Sequence, residues 1–145
     1  MILFSSALEL EKSNNEKMKK LIIDAANEKI FLMLIDNKNT YNISYPNSKF
    51  NYEKLMILII EFLKLRKIKL DEISYIYINR GPGSFAGIRN SIAIVKAIFL
   101  AKKIDYYCFS FKDFKKEGEI KYENIPNLCA KNNVKKNLIK PIYLS

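Results

Sequence analysis

The segment Arg80-Gly81-Pro82-Gly83-Ser84-Phe85-Ala86-Gly87-Ile88-Arg89 holds three of the four glycines in this 145-residue chain. A glycine-dense turn of this kind brings backbone close to a ligand or to another element, and a helix that follows it offers unpaired N–H groups. Three kinds of chemistry suit it. A phosphate cradle of the Walker type needs Gly-Lys followed by Ser or Thr, but Ile88 follows Gly87; a dinucleotide fingerprint needs its third glycine one position earlier. A nucleophile elbow needs Gly-x-Ser-x-Gly, which Gly83-Ser84-Phe85-Ala86-Gly87 does not match, and the chain has no histidine to activate Ser84. Ser84 therefore reads as a helix N-cap or a turn residue. Asp24, at the end of an apolar run, is a candidate for holding a metal or orienting a water, or else for bonding the turn that follows. Together with Gly83 and Ser84 it makes the candidate nucleotide-binding set. The absence of histidine removes the commonest metal ligand and general base. Cys108 and Cys129 match no metal spacing and read as reduced thiols of a cytoplasmic protein.

The elements that must position these residues follow from periodicity. Lys20–Ala25, Ile30–Ile35 and Tyr41–Tyr45 read as three strands joined by turns at Asn27-Glu28-Lys29 and Asp36-Asn37-Lys38-Asn39. Asn51–Lys64 reads as a helix, Ile73–Ile78 as a strand, Ser91–Lys102 as a second helix and Asp105–Ser110 as a last strand. The order β-β-β-α-β-α-β implies a mixed five-stranded α/β sheet: the first three strands are antiparallel and those reached through helices parallel. That is one lobe of the ribonuclease-H-like, actin-type fold. The expected organisation is an N-terminal extension over residues 1–17, the lobe over 18–111 and a truncated second lobe over 112–145. Met18 reads as the opening of the fold. No run of residues is long and apolar enough to span a membrane, and Glu9 and Glu11 after the apolar start argue against a secretory signal.

The charge is +10, but only Arg66, Arg80 and Arg89 are arginine, so the basic surface is one of lysines; in a chain rich in Ile, Asn and Lys this reads as a solvated surface. The second helix is apolar on two sides. Ile88, Ile92, Val95 and Phe99 form the face toward the sheet, while Ala93, Ala97 and Ala101, flanked by Ile94, Ile98 and Leu100, occupy the side that a solvated helix would fill with charge. The first helix is similarly apolar around its circumference through Leu55, Met56, Leu58, Ile59, Phe62 and Leu63. Two such helices predict a helix-to-helix partner surface. The expected interface residues are Leu55, Leu58, Ile59, Ala93, Ile94, Ala97 and Ala101, with Arg80 and Arg89 making polar contacts around it. The competing expectation is that the tail covers the helices.

The loop, Gly81-Pro82-Gly83-Ser84-Phe85-Ala86-Gly87-Ile88-Arg89, resembles the signature of the TsaB (YeaZ) family, with Ala86 in place of the usual threonine. Leu21-Ile22-Ile23-Asp24 resembles the family's first strand, Glu53-Lys54-Leu55 the start of its first helix, and Pro141-Ile142-Tyr143-Leu144 its C-terminal motif. The resemblance implies an actin-like fold and a non-catalytic, cytoplasmic subunit of tRNA threonylcarbamoyladenosine formation. It implies pairing with a TsaD-like transferase through the helices, a TsaE-like ATPase in the same assembly, and tRNA contact through the complex. It also implies a homodimer through the same helices and no metal of its own. ATP or ADP would enter only at the complex interface, with none bound tightly. Ala25-Ala26 stand where the family has Thr-Ser, and the family's helix-leading histidine is absent near Asn51. The rival functions are a glycoprotease-like hydrolase using Ser84 and a stand-alone tRNA-binding module using the lysine-rich tail.

Overall fold

A computed structural model of the chain describes residues 18–143. The N-terminal extension and Leu144 of the C-terminal motif lie outside the described residues. The elements in chain order are β1 (Lys19–Asp24), β2 (Lys29–Asp36), β3 (Asn39–Pro46), α1 (Lys49–Glu53), α2 (Leu55–Leu65), β4 (Ile73–Asn79), α3 (Phe85–Lys102), β5 (Asp105–Phe109) and α4 (Ile125–Lys131), with short 3-10 turns between some of them. The sheet runs β3-β2-β1-β4-β5. β1, β2 and β3 are antiparallel neighbours; β1, β4 and β5 are parallel. This is the mixed five-stranded sheet the sequence implied, and the structure adds the order of the strands across it. The β2–β3 hairpin turns on Asn37 and Lys38, and Asn37 takes the left-handed conformation (φ 58) that asparagine tolerates better than most residues.

Both long helices start or break elsewhere than the periodicity predicts. The helix expected over Asn51–Lys64 is two pieces joined at Lys54. Ser48 caps the first by accepting from the Asn51 amide at 3.2 Å. α3 begins at Phe85, not Ser91, so the second half of the glycine segment is its first turn. The helices lie together on one face of the sheet. Leu55, Ile59, Phe62 and Leu63 of α2 and Ile88, Ile92, Val95 and Ile98 of α3 close over Leu21, Ile23, Leu32, Leu34, Ile76 and Ile78. Ile98, expected on the outer side, is buried in this core, and Phe99 is only half-buried against Tyr106.

Most of the tail covers the opposite face of the sheet, and its end reaches the helical side, where Ile139 packs at the rim of the core and Tyr143 meets Phe85 of α3 with ring centroids 4.7 Å apart. Phe114, Ile125, Leu128 and Cys129 pack on Ile22, Met33, Tyr77 and Phe109. Ser110 starts this segment with a capping box: Asp113 accepts from the Ser110 amide at 2.8 Å, and Ser110 Oγ accepts from the Lys112 amide at 3.2 Å. Further along, Asn137 closes the β5 edge, donating its amide to the Tyr106 carbonyl at 2.8 Å. The Ile142 amide then donates to the Arg80 carbonyl at 2.7 Å, and Tyr143 bridges to Gly83. The lobe thus has a helical layer on one side and a tail layer on the other. Among the described residues, no helix is long and apolar enough to cross a membrane.

Candidate functional site

The glycine segment sits at the C-terminal end of β4, beside the end of β1, and its glycines are needed for contact within the chain. A Cβ on Gly87 would collide with the Ala25 carbonyl oxygen, one on Gly83 with the Ala26 carbonyl oxygen, and one on Gly81 with the Ile142 carbonyl oxygen. Gly81 also has φ +105, a conformation open to glycine. Three of the loop's N–H groups are engaged as well. Gly81 donates to Asn79 Oδ1 at 2.9 Å, Ser84 to the Ala26 carbonyl at 2.9 Å and Gly87 to Ser84 Oγ at 3.2 Å. Ser84 is the N-cap of α3, and its hydroxyl also meets the Tyr52 hydroxyl at 3.3 Å. Among the described residues the Ser84 hydroxyl is thus occupied by the cap and by Tyr52, and no carboxylate or amine is bonded to it.

Asp24 is 1% exposed, and its carboxylate is fully engaged. Oδ1 accepts from the Ala26 amide (3.1 Å) and from Asn79 Nδ2 (3.1 Å), and Asn27 Nδ2 reaches both oxygens (3.4 and 3.2 Å). Oδ2 accepts from the Tyr122 hydroxyl at 2.6 Å. Tyr122 comes from the tail and stacks on Phe31 with ring centroids 4.2 Å apart. Its ionisation is pushed well above the ordinary tyrosine range by burial first, then by the Asp24 charge and the hydrogen bond between them. Of the two expectations for Asp24, the structure thus realises bonding to the following turn, with a long-range link to the tail added. Asn79 and Tyr122 carried no sequence signal, because they reach Asp24 from 55 and 98 residues away.

An open cleft of about 740 Å³ lies beside this cluster, lined in part by Ala26, Asn27, Asn47, Pro82, Ser84 and Tyr122. The residues do not fit a tight nucleotide site. Alanines stand at 25 and 26, the acid is engaged by four groups, and the amides of Gly81, Ser84 and Gly87 face internal acceptors. Among the described residues no cluster of three or more His, Cys, Asp or Glu could hold a metal ion. Cys108 and Cys129 are free and buried, and burial pushes each thiol up to about 12.

The other candidate surface is the outer side of α2 and α3. The structure divides the residues expected there. Ala93, Ala97 and Ala101 are exposed and Ile94 is half-buried, while Arg89 is exposed with its guanidinium 6.0 Å from the Phe85 ring. Leu55, Leu58 and Ile59 are buried in the chain's own core, so they cannot meet a partner; a helix apolar all round does not tell from its sequence which stripe faces inward. Arg80 is a correction too. Its guanidinium donates to Asp113 at 2.7 Å and to the Lys140 carbonyl at 2.9 Å, fastening the tail rather than ringing an interface. What α2 does present outward is Ile57 (56% exposed) and Ile60 (46%), which join Leu100 (72%) and the three alanines on α3. Lys102 of α3 pairs with Asp71 at 3.1 Å at the end of the groove between the helices, which Ile60 and Lys64 also line.

No protein-family model matches the chain. Two curated relatives do: a "tRNA threonylcarbamoyladenosine biosynthesis protein TsaB" of Buchnera aphidicola subsp. Schizaphis graminum, 31% identical over 90 residues, and one of the same name from subsp. Baizongia pistaciae, 31% identical over 74 residues. The first alignment covers 62% of this chain and 43% of the relative, the second 45% and 34%. The chain thus spans less than half the length of the curated relatives it matches. Two solved structures share the fold at TM-score 0.60 and 20% identity, each covering 64% of this chain. One is YeaZ from Pseudomonas aeruginosa, matched over 44% of its length; the other is described as an uncharacterized protein with similarity to peptidase YEAZ from the same organism, matched over 43%.

Proposed function

We propose that this chain, which over its matched lobe is of the TsaB/YeaZ family, is a non-catalytic pairing subunit in the formation of threonylcarbamoyladenosine on tRNA. Its partner would be a TsaD-like transferase acting on the adenosine beside the anticodon, with a TsaE-like ATPase in the same assembly and tRNA reached through the complex. It would work in the cytoplasm. The free chain would also pair with a second copy through the same surface. The observation that carries this reading is the outer face of α2 and α3: Ile57, Ile60 and Leu100 stand in water beside a stripe of small side chains, Ala93, Ala97 and Ala101, that lets another backbone approach closely. The engaged Asp24 and the packed glycine loop support a supporting role over a catalytic one. ATP or ADP, where it enters, would be held jointly with the partner and not by this lobe alone.

The test is co-purification of the chain with a TsaD-like protein from the same organism. Ala97→Glu places a charge in the middle of the exposed stripe and should abolish recovery of the partner with the melting temperature unchanged. Leu55→Ala, by contrast, should cost roughly 2–5 kcal/mol of stability, because it opens a cavity in the chain's own core. Undiminished recovery with Ala97→Glu would overturn the pairing surface.

A further inference from the structure

The two edges of the sheet end differently. At the β5 edge the tail closes the ladder: Asn137 donates its amide to the Tyr106 carbonyl at 2.8 Å, and its side-chain oxygen accepts from the Tyr106 amide at 2.9 Å. At the other edge β3 has β2 on one side and, among the described residues, no strand on the other. The β2–β3 turn closes on Asp36 and Asn39, so Asn39, Tyr41, Ile43 and Tyr45 bond β2 while the amides and carbonyls of Thr40, Asn42 and Ser44 point away from the sheet. No backbone group outside β2 takes them up among the described residues. Proteins usually guard such an edge with a charge, a bulge or an early proline. In a chain with 25 lysines and arginines, Asn39–Pro46 holds no charged residue. Its register with β2 has no bulge, and its proline comes last. Two charges flank the strand. Arg66, just past α2, lies over the Tyr41 ring with its guanidinium 4.0 Å from the centroid. Glu61 of α2 lines a shallow hollow with Tyr45, Lys64 and Leu65. Both charged residues are exposed, and neither belongs to an ion pair among the described residues.

We propose that the β3 edge pairs with the β3 edge of a second copy of this chain, antiparallel about a twofold axis at Ile43, so that the two sheets join into one. This register puts Asn42 of one copy opposite Ser44 of the other, and their outward amides and carbonyls bond each other. On the helical side it sets Tyr41 against Tyr45 and Ile43 against its own counterpart. The cation at one end of the strand then faces the acid at the other: Arg66 of each copy meets Glu61 of its mate, twice by symmetry. That match selects the occupant. An unrelated extended peptide would use the backbone groups but leave both charges unpaired. A slip of two residues would move Arg66 and Glu61 about 7 Å apart. An uncharged strand is also where two copies, each carrying +10, meet with least repulsion. The free edge of the sheet is a different surface from the outer side of α2 and α3, so this pairing is independent of the partner surface there.

The experiment is sedimentation velocity on the full chain from about 1 μM to about 500 μM, with amide hydrogen exchange at both ends of that range. The dimer fraction should rise with concentration, and the amides of Thr40, Asn42 and Ser44 should become protected as it does. The same association should persist in the Ala97→Glu variant, which removes any pairing through α2 and α3. Asn42→Pro deletes an outward amide and no bond to β2, and should weaken association roughly tenfold or more. Glu61→Arg and Arg66→Glu each bring like charges together and should each weaken it several-fold, whereas both changes in one chain should restore it. This exposed pair decides the matter if the proline variant fails to fold. A chain that stays monomeric throughout would overturn the proposal. So would a dimer lost with Ala97→Glu and kept with Asn42→Pro, which would place it on the helices, or a double charge variant no better than the single ones. Protection of the three amides in the monomer would mean that another segment of the same chain covers the edge, and the proposal would fall.

Discussion

Removing the Tyr122 hydroxyl tests whether the tail is latched to the lobe through Asp24. Tyr122→Phe keeps the ring, and so its stacking on Phe31 at 4.2 Å and its edge contact with Phe111 at 5.9 Å, and deletes only the donor 2.6 Å from Asp24 Oδ2. A hydrogen bond to a charged group contributes about 1.5–3 kcal/mol. Oδ2 keeps the Asn27 amide at 3.2 Å, and Tyr122 is half-exposed so that water can reach the gap. The loss should therefore lie at the low end, about 1.5 kcal/mol. For a domain of this size that is a fall of roughly 5–8 °C in melting temperature. Asp24→Asn should cost more, about 3 kcal/mol, because one amide oxygen cannot serve the donors from Ala26, Asn79 and Tyr122 at once. In the double variant the costs should fall short of the sum by about 1 kcal/mol, since the same bond is removed twice. Urea denaturation followed by circular dichroism measures all three. If Tyr122→Phe melted within a degree of the parent chain, or if the two costs simply added, the reasoning from the 2.6 Å contact would be wrong.

Two further outcomes follow from the packing. Stability should be level to about pH 9 and then fall: the Cys108 and Cys129 thiols are raised by burial to about 12 in the fold, so the unfolded chain releases those protons first, and Tyr77 and Tyr122, raised by burial as well, extend the loss above about pH 10. Replacing both cysteines by alanine should delay the onset by about one pH unit, and a denaturation midpoint that stayed flat from pH 8 to 11 would contradict the burial of these groups. Gly87→Ala should destabilise the chain severely or prevent folding, because the new methyl meets the Ala25 carbonyl, whereas Gly118→Ala, with nothing within 4 Å, should be neutral. Similar melting of the two variants would show that the loop does not lie against β1 as described.

The strands and their pairing were legible because each carries its own period and its own turn. Asn37-Lys38 turns β2 into β3, and the helices force β1, β4 and β5 to run parallel. The start of α3 was half legible: the helical period shows from Ser91, while the Ser84 cap was already a candidate; in the fold Ser84 does cap the helix, and the missing side chain of Gly87 lets its first turn rest against Ala25 at the end of β1. Which side of α2 faces inward was not legible at all. Leu55, Leu58 and Ile59 and the exposed Ile57 and Ile60 are equally apolar, and only the sheet beneath decides between them. The tail was hidden for a different reason. Phe114, Ile125, Leu128 and Cys129 are dispersed among lysines and asparagines, so no window of sequence shows the apolar surface that they form together on the sheet.

The two layers on this sheet separate what stabilises the lobe from what it offers to others. A five-stranded sheet with helices on one face alone would leave Ile22, Met33, Tyr77 and Phe109 in water. The tail covers them and is fastened at the loop end of the sheet by Arg80 with Asp113 and by Asp24 with Tyr122. The second of those fastenings engages the acid, while Asn79, Ala26 and Ser84 of the lobe itself engage loop amides, so at Asp24 closing the second face and holding a ligand are competing uses of the same group. The outer side of α2 and α3 takes no part in the fastening. Tyr122→Phe should therefore lower the melting temperature while leaving partner capture intact, and Ala97→Glu should do the reverse. If weakening the latch abolished capture at a temperature where the chain is folded, the two faces would be coupled through the sheet, and the glycine loop that touches both layers would be the element transmitting the effect.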